Sequence, residues 1–120
     1  NRQQVYNALN RETKLNLITE IRKASRDEKV GSIILTGEGK AFSTGQDLND
    51  RTVSGAEAPV DLGYTLETEW NPLVNAIRES TKIVVGAING VVAGAGISVA
   101  LACDFIYAAP GIKFVSGFSN

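Results

Sequence analysis

Two glycine-rich turns contain the residues of this sequence that could do chemistry. Gly45-Gln46 comes after one apolar run, Ser32–Thr36, and Gly94-Ala95-Gly96 comes after another, Ile83–Ile88. Because glycine lets the backbone turn sharply, each turn can aim unpaired N–H groups at a common point. Two converging N–H donors form an oxyanion hole, which stabilises the negative charge that develops on an oxygen in a transition state. The second turn also opens a predicted helix, whose N-terminus favours the same charge.

The side-chain composition favours this kind of backbone chemistry. The sequence contains no histidine, which excludes Ser–His and Cys–His nucleophile pairs and His-ligated zinc within it, and we predict no metal site. Chemistry in which an enolate forms and collapses needs no side-chain nucleophile. Asp47 and Asp50 follow the first turn, where helix capping or loop solvation is the plainer interpretation of an aspartate.

Length and composition indicate one small domain of ordinary globular character. The net charge of −1 gives no sign of a nucleic-acid surface or a polybasic membrane patch. The single cysteine, Cys103, cannot form an intrachain disulfide, which fits a reducing compartment, and we expect a cytoplasmic location. The chain begins with Asn1 rather than Met, and an upstream targeting segment is left open.

Hydrophobic periodicity predicts alternating helices and strands. Two apolar stripes have helical spacing, namely Leu15, Ile18, Ile21 and Ala24, and Leu66, Trp70, Leu73, Val74 and Ile77. The first stripe predicts a helix over 12–29, and in the second Pro72 either starts or kinks the helix. Buried strands are predicted at 32–36, 83–88, 104–108 and 113–115, a further helix at 94–103, and a long loop at 37–63. This alternation indicates an α/β fold, with Trp70 in its core.

The uncharged stretch 83–103 also has the length of a membrane span, and its glycines at 86, 90 and 94 are spaced as in packed membrane helices. An Asn-Gly pair interrupts the stretch, however, and its glycines lower its helix propensity. We therefore expect a buried strand, a turn and a buried helix, and no membrane span.

Three nucleotide or nucleophile motifs are incomplete in this sequence. The dinucleotide fingerprint that begins at Gly94 has Val99 in place of its third glycine, and no acidic residue follows at the usual distance. A nucleophile elbow around Ser98 lacks its second glycine and a histidine. Gly39-Lys40 precedes Ala41 rather than Ser or Thr, so the sequence does not match the phosphate-binding loop motif either.

Three segments resemble the crotonase superfamily, the enoyl-CoA hydratase/isomerase fold. They are KAFSTGQDL at 40–48, AINGVVAGAGISVALACDFIYAA at 87–109 and IKFVSGFS at 112–119, and NALN at 7–10 resembles that family's first coenzyme A contact. The resemblance implies a spiral of ββα units, of which residues 1–120 are the first half of the acyl-CoA-binding core. It also implies a homotrimer or hexamer, and no separate cofactor, since coenzyme A is part of the substrate.

The resemblance implies roles for individual residues. The N–H groups of Gln46 and Ala95 would be the two oxyanion donors that hold the thioester oxygen of an acyl-CoA. The implied substrate contacts are Ala8, Ser43, Thr44 and Gly94 along coenzyme A, and Asp47 and Leu48 beside the acyl thioester.

The departures from the family pattern bear on the reaction. Hydratases of the family carry glutamates at the positions of Ser98 and Phe118, so the two-glutamate addition of water is disfavoured and a base beyond Asn120 is expected. Ser98 could hold a water or a substrate oxygen, whereas Phe118 makes the pocket apolar, which suits an aromatic or long acyl group. GQDLNDR, DLGYTLETEWNPLV and KFVSGFS are most similar to the 1,2-epoxyphenylacetyl-CoA isomerase branch. We therefore predict an acyl-CoA isomerase. The alternatives are a hydratase with another acid and a non-catalytic acyl-CoA-binding subunit.

Overall fold

A computed structural model describes residues 1–47 and 66–116 as alternating helices and parallel strands. The helices are a 3-10 turn Gln3–Val5, α1 Arg11–Arg26, a π turn Leu66–Trp70 that leads into α2 Asn71–Arg78, and α3 Ala95–Ala102. The strands are β1 Ser32–Thr36, β2 Ala41–Ser43, β3 Ile83–Ile88, β4 Val91–Ala93, β5 Phe105–Ala108 and β6 Phe114–Val115. The predicted alternation of helix and strand is confirmed.

The strands form two parallel sheets, and each pair of consecutive strands contributes one strand to each sheet. The first sheet has the order β1-β3-β5 and the second has the order β2-β4-β6. In the second sheet Ala41 pairs with Val91 and Ser43 with Val92, so Phe42 is an extra residue, a bulge, in β2. Helix α2 follows the first pair of strands and α3 follows the second, which gives the spiral of ββα units that the resemblance implies.

The core lies where the three helices pack on the sheets. It includes Ile18 and Ile21 of α1, Leu73 and Ile77 of α2, Val99 of α3, Val84 and Ile88 of β3, and Val92 of β4. Trp70 also belongs to this core, as predicted. Cys103, directly after α3, is buried beside it, and burial, with a smaller contribution from Asp104, raises the pKa of its thiol to about 11. Since the thiolate is the reactive form, Cys103 is not a nucleophile at neutral pH.

Local hydrogen bonds set the bounds of the helices. The Asn10 side chain accepts a hydrogen bond from the Thr13 N–H at 2.9 Å and so caps the start of α1. The helix ends at Arg26, earlier than predicted, because Asp27 is extended and its carboxylate accepts a bond from the Lys29 N–H at 2.9 Å. Helix α2 starts beside Pro72, which lies in its first turn, where a missing N–H costs nothing.

Three predictions about the fold are wrong. Residues 37–63 are not all loop, because β2 lies at Ala41–Ser43, and β4 at Val91–Ala93 was missed as well. Three-residue strands are too short for an alternating pattern to show. The prediction that the strands are buried is wrong for the outer strands β1, β5 and β6, in which Ile34 is 66%, Tyr107 68% and Phe114 48% exposed. Within the described residues, no helix is long and apolar enough to cross a membrane.

Candidate active site

The two glycine turns lie against each other. Gly45, after β2, has a φ of 92°, and Gly94, before α3, has a φ of 54°, and both values are in the region that favours glycine. A Cβ atom at Gly45 would lie 2.8 Å from the Ala95 nitrogen and 3.1 Å from the Ala93 oxygen. A Cβ atom at Gly96 would lie 2.5 Å from the Ser43 oxygen. The predicted juxtaposition of the turns is therefore present, and it depends on the absence of side chains.

The peptide groups that carry the two predicted donors are fixed by hydrogen bonds to their carbonyl oxygens. The Gly45 carbonyl accepts a hydrogen bond from the Leu9 N–H at 2.6 Å, and the Gly94 carbonyl accepts one from the Ile97 N–H at 3.1 Å. A trans peptide is planar and its C=O and N–H point in opposite directions, so fixing the carbonyl also fixes the N–H of the next residue. Those N–H groups belong to Gln46 and Ala95, and neither donates to an acceptor in the described parts of the chain.

This arrangement can stabilise negative charge on an oxygen atom. The Ala95 N–H is the first of helix α3, where unpaired N–H groups and the helix dipole both favour an anion. Hydrogen bonding to the Gly45 carbonyl also polarises the peptide group that carries the Gln46 N–H. Two such donors, fixed before a substrate arrives, suit a reaction in which a carbonyl oxygen gains charge.

The segment before α1 runs beside the first turn. The Leu9 N–H donates to the Gly45 carbonyl and the Asp47 N–H donates to the Leu9 carbonyl at 3.0 Å, so Leu9 and Gln46 form a parallel bridge. Ala8 is buried, and its carbonyl accepts a bond from Arg2 Nη1 at 2.5 Å. The Thr44 hydroxyl donates to the Tyr6 carbonyl at 3.3 Å. The structure therefore brings Ala8 and Thr44 to the same side of the fold as the two donors.

The structure describes two of the other predicted site residues, Ser43 and Ser98. Ser43 is buried, and its hydroxyl donates to the Asn7 carbonyl at 2.9 Å and accepts from the Gly45 N–H at 3.1 Å, so this side chain builds the turn. Ser98 is exposed in the first half of α3. Leu48, Asp50 and Phe118 lie outside the described residues. Their predicted roles stay predictions, as do those of Ser43, Ser98, Ala8, Thr44 and Gly94.

Asp47 is not a solvated loop residue, so of its two plainer interpretations loop solvation is wrong, and helix capping stays a prediction. The residue is 7% exposed, and its carboxylate lies 3.0 Å from Arg2 Nη1. The same guanidinium nitrogen donates to the Ala8 carbonyl. Arg2 therefore connects Asp47, which follows the first turn, to the segment before α1 that runs beside this turn. The predicted place of Asp47 beside an acyl thioester stays a prediction.

Asn7 joins three backbone segments next to the first turn. It is buried with a φ of 56°, its Nδ2 donates to the carbonyls of Glu38 and Ala41 at 2.8 Å each, and its Oδ1 accepts from the Arg2 N–H. We predict that Asn7→Asp lowers the free energy of unfolding by about 3 kcal/mol or more, because a carboxylate oxygen would then face two carbonyl oxygens in a buried place. Urea denaturation measures this. Asn16→Asp, on the exposed side of α1, is the control, and an equal loss in both variants would contradict the prediction.

A buried charged residue that the sequence analysis missed lies behind the first donor. Lys14 is fully buried, with its Nζ 2.7 Å from Gln46 Oε1 and 2.7 Å from Glu69 Oε1. The stripe on α1 was predicted to include Leu15, which is 37% exposed. The available signal was spacing, since residue 14 precedes Ile18 by four positions and Ile21 by seven.

No group of histidine, cysteine or acidic residues that could hold a metal occurs in the parts of the chain that the structure describes.

Comparison with known proteins agrees with this fold. A family model described as enoyl-CoA hydratase/isomerase matches residues 1–120. The 1,2-epoxyphenylacetyl-CoA isomerase of Escherichia coli K12 is 41% identical over 120 residues, which are 100% of this chain and 46% of that protein. A protein of Rhodobacter capsulatus named "Probable enoyl-CoA hydratase" is 38% identical over 119 residues, which are 99% of this chain and 44% of that protein.

Solved structures show the same architecture. An enoyl-CoA hydratase/carnithine racemase from Magnetospirillum magneticum superimposes with a TM-score of 0.84 and 27% identity, over 97% of this chain and 43% of that one. The chain belongs to the enoyl-CoA hydratase/isomerase family, and its fold is that of the crotonase superfamily. It spans about half the length of the curated relatives that it matches.

Proposed function

We propose that this protein is an acyl-CoA isomerase that stabilises a thioester enolate with the N–H groups of Gln46 and Ala95. The observation that carries the proposal is the contact between the two turns, in which both donor peptides are held through their carbonyls by Leu9 and Ile97. Removal of a proton next to a thioester carbonyl places negative charge on the carbonyl oxygen, and two fixed donors lower the energy of that state.

The residue at position 98 supports isomerisation over hydration. A serine hydroxyl is a poor base, and the two-glutamate addition of water needs a carboxylate at this position and at 118, where the sequence has Ser98 and Phe118. The 1,2-epoxyphenylacetyl-CoA isomerase among the relatives points the same way. The proton-transferring base is proposed to come from beyond Asn120, and the apolar Phe118 favours an aromatic or long acyl group.

Hydration is the second candidate, and the hydratase name of the Rhodobacter relative favours it.

We propose in addition that the protein acts as a trimer or hexamer. Phe105, Tyr107 and Phe114 support an assembly, because this part of the chain leaves them about half exposed or more. Either the rest of the protein or partner chains would cover them.

The deciding experiment is an absorbance assay on the full-length protein. Crotonyl-CoA and a 3-enoyl-CoA are added separately, and the absorbance of the conjugated enoyl thioester is followed. Isomerisation predicts a gain with the 3-enoyl ester and no change with crotonyl-CoA. A loss of absorbance with crotonyl-CoA would establish hydration instead. Binding of both esters without turnover would contradict both reactions on these substrates and favour the non-catalytic alternative.

A further inference from the structure

Lys14 is the most deeply buried charged residue among those that the structure describes, and its surroundings explain how it is tolerated. Its side chain is 0% exposed and extends from α1 to the first glycine turn. The ammonium group lies 2.7 Å from a carboxylate oxygen of Glu69, which is itself buried, and 4.5 Å from the centre of the Trp70 ring. A buried ammonium needs such partners, because removing a charge from water is costly.

The third partner of Lys14 is the side chain of Gln46, whose backbone N–H is the proposed first donor. Gln46 Oε1 accepts from Lys14 Nζ at 2.7 Å and from Trp70 Nε1 at 3.0 Å. Gln46 Nε2 donates to the Asp47 carbonyl at 3.2 Å. The amide oxygen therefore has two donors, one of them charged, and charged donors make the stronger hydrogen bonds. These contacts hold the Gln46 side chain in one orientation.

The backbone of Gln46 is held separately. Leu9 accepts from the Asp47 N–H and donates to the Gly45 carbonyl, so both peptide groups around Gln46 are fixed on one side. With its side chain also anchored, Gln46 can change neither its backbone angles nor its side-chain rotamer without breaking a hydrogen bond. The direction of its N–H therefore depends on Lys14 as well as on Leu9.

We propose that Lys14 is a positioning residue for the oxyanion donor of Gln46, with Glu69 keeping the ammonium in place and Trp70 sharing the amide oxygen. This inference rests on the proposed function. It assigns a role in the reaction to a charge that does not touch the substrate, and it places the support of the first donor on α1 and the π turn rather than on the turn itself.

The test uses a 3-oxoacyl thioester, acetoacetyl-CoA, whose enolate absorbs in the near ultraviolet, and the saturated ester butyryl-CoA, which cannot form a conjugated enolate. In full-length protein with Lys14→Met, we expect the enolate band of bound acetoacetyl-CoA to fall about fivefold or more. The kcat for isomerisation of the 3-enoyl-CoA should fall about tenfold. The KM and the affinity for butyryl-CoA should stay within about twofold of wild type. Lys23→Met, on an exposed position of the same helix, should leave all four quantities unchanged.

A second variant separates positioning from stability. Lys14→Met leaves the buried Glu69 carboxylate without its close cation and with only Arg11 Nε, at 3.9 Å, whereas Lys14→Met with Glu69→Gln removes both members of the close pair and should recover the melting temperature. If positioning is right, the double variant folds well and still forms little enolate. A wild-type enolate band in the stable double variant would overturn the inference while leaving the proposed function intact. A wild-type protein that binds acetoacetyl-CoA but forms no enolate would overturn the proposed function, and the inference with it.

Discussion

Replacing Ala95 with proline should lower kcat about 10²–10³-fold, because proline has no N–H and one of the two oxyanion donors is lost. Ala95 is the first residue of α3, a position at which proline fits a helix without breaking an internal hydrogen bond. Proline is therefore compatible with the helix itself, and the cost in stability comes from its ring, which takes the place of the N–H beside Gly45. Steady-state kinetics on the full-length protein, with a melting curve for each variant, measure the two effects separately.

Ala95→Gly is the matched control, since it changes the same side chain and keeps the N–H. Its activity should stay within about tenfold of wild type, the cost of a more flexible helix start being about 1 kcal/mol. If Ala95→Pro folded normally and kept wild-type turnover, the second donor would not be the Ala95 N–H and the proposed mechanism would fail.

Gly45→Ala is expected to have the other large effect, on stability and on turnover together. The new Cβ would lie 2.8 Å from the Ala95 nitrogen, and the φ of 92° is unfavourable for alanine. Strain and overpacking together should cost about 2–4 kcal/mol of unfolding free energy. Turnover should fall about 10²-fold or more, because separating the two turns moves one donor relative to the other.

Two other glycines provide controls for this substitution. Gly111 also has a positive φ, 80°, but no atom lies within 4 Å of a Cβ placed there, so Gly111→Ala measures the backbone strain alone. Gly31 has neither constraint, so Gly31→Ala should be neutral or slightly stabilising. We expect both controls to keep wild-type turnover. A Gly45→Ala protein as active as Gly111→Ala would show that the close approach of the turns is not needed.

The longer elements and the two turns could be predicted from the sequence. The Ile83–Ile88 strand and the helices around Ile18 and Leu73 have regular apolar spacing, which reports burial directly. The glycines at 45 and 94 marked backbone positions that only glycine adopts easily, and the structure places their two turns in contact. Resemblance to a family supplied the pairing of the donors, which spacing alone left open.

What the sequence did not show was set by contacts between distant segments. Lys14 is a polar residue on an apolar stripe, and its burial depends on Glu69 and Gln46, which are far away in the chain. The buried Asp47 carboxylate pairs with Arg2, which is also far away in the chain. Strands β2 and β4 are too short for a local pattern, and they are defined by their pairing, β2 with β4, and β4 with both β2 and β6. In each of these cases the partner is specified by the tertiary fold.

The bulge at Phe42 has a consequence for how this site can change in evolution. Strand β2 leads to one donor and β4 leads to the other. The extra residue in β2 determines where the end of β2 lies relative to the end of β4, and so where each turn begins. One residue advances a strand by about 3.3 Å, whereas a hydrogen bond tolerates only about 0.5 Å of variation in length. The distance between the donors therefore depends on the number of residues in each strand rather than on the identity of their side chains. Substitutions along β2 and β4 leave this count of residues unchanged, whereas a single insertion or deletion there displaces one donor by a whole residue.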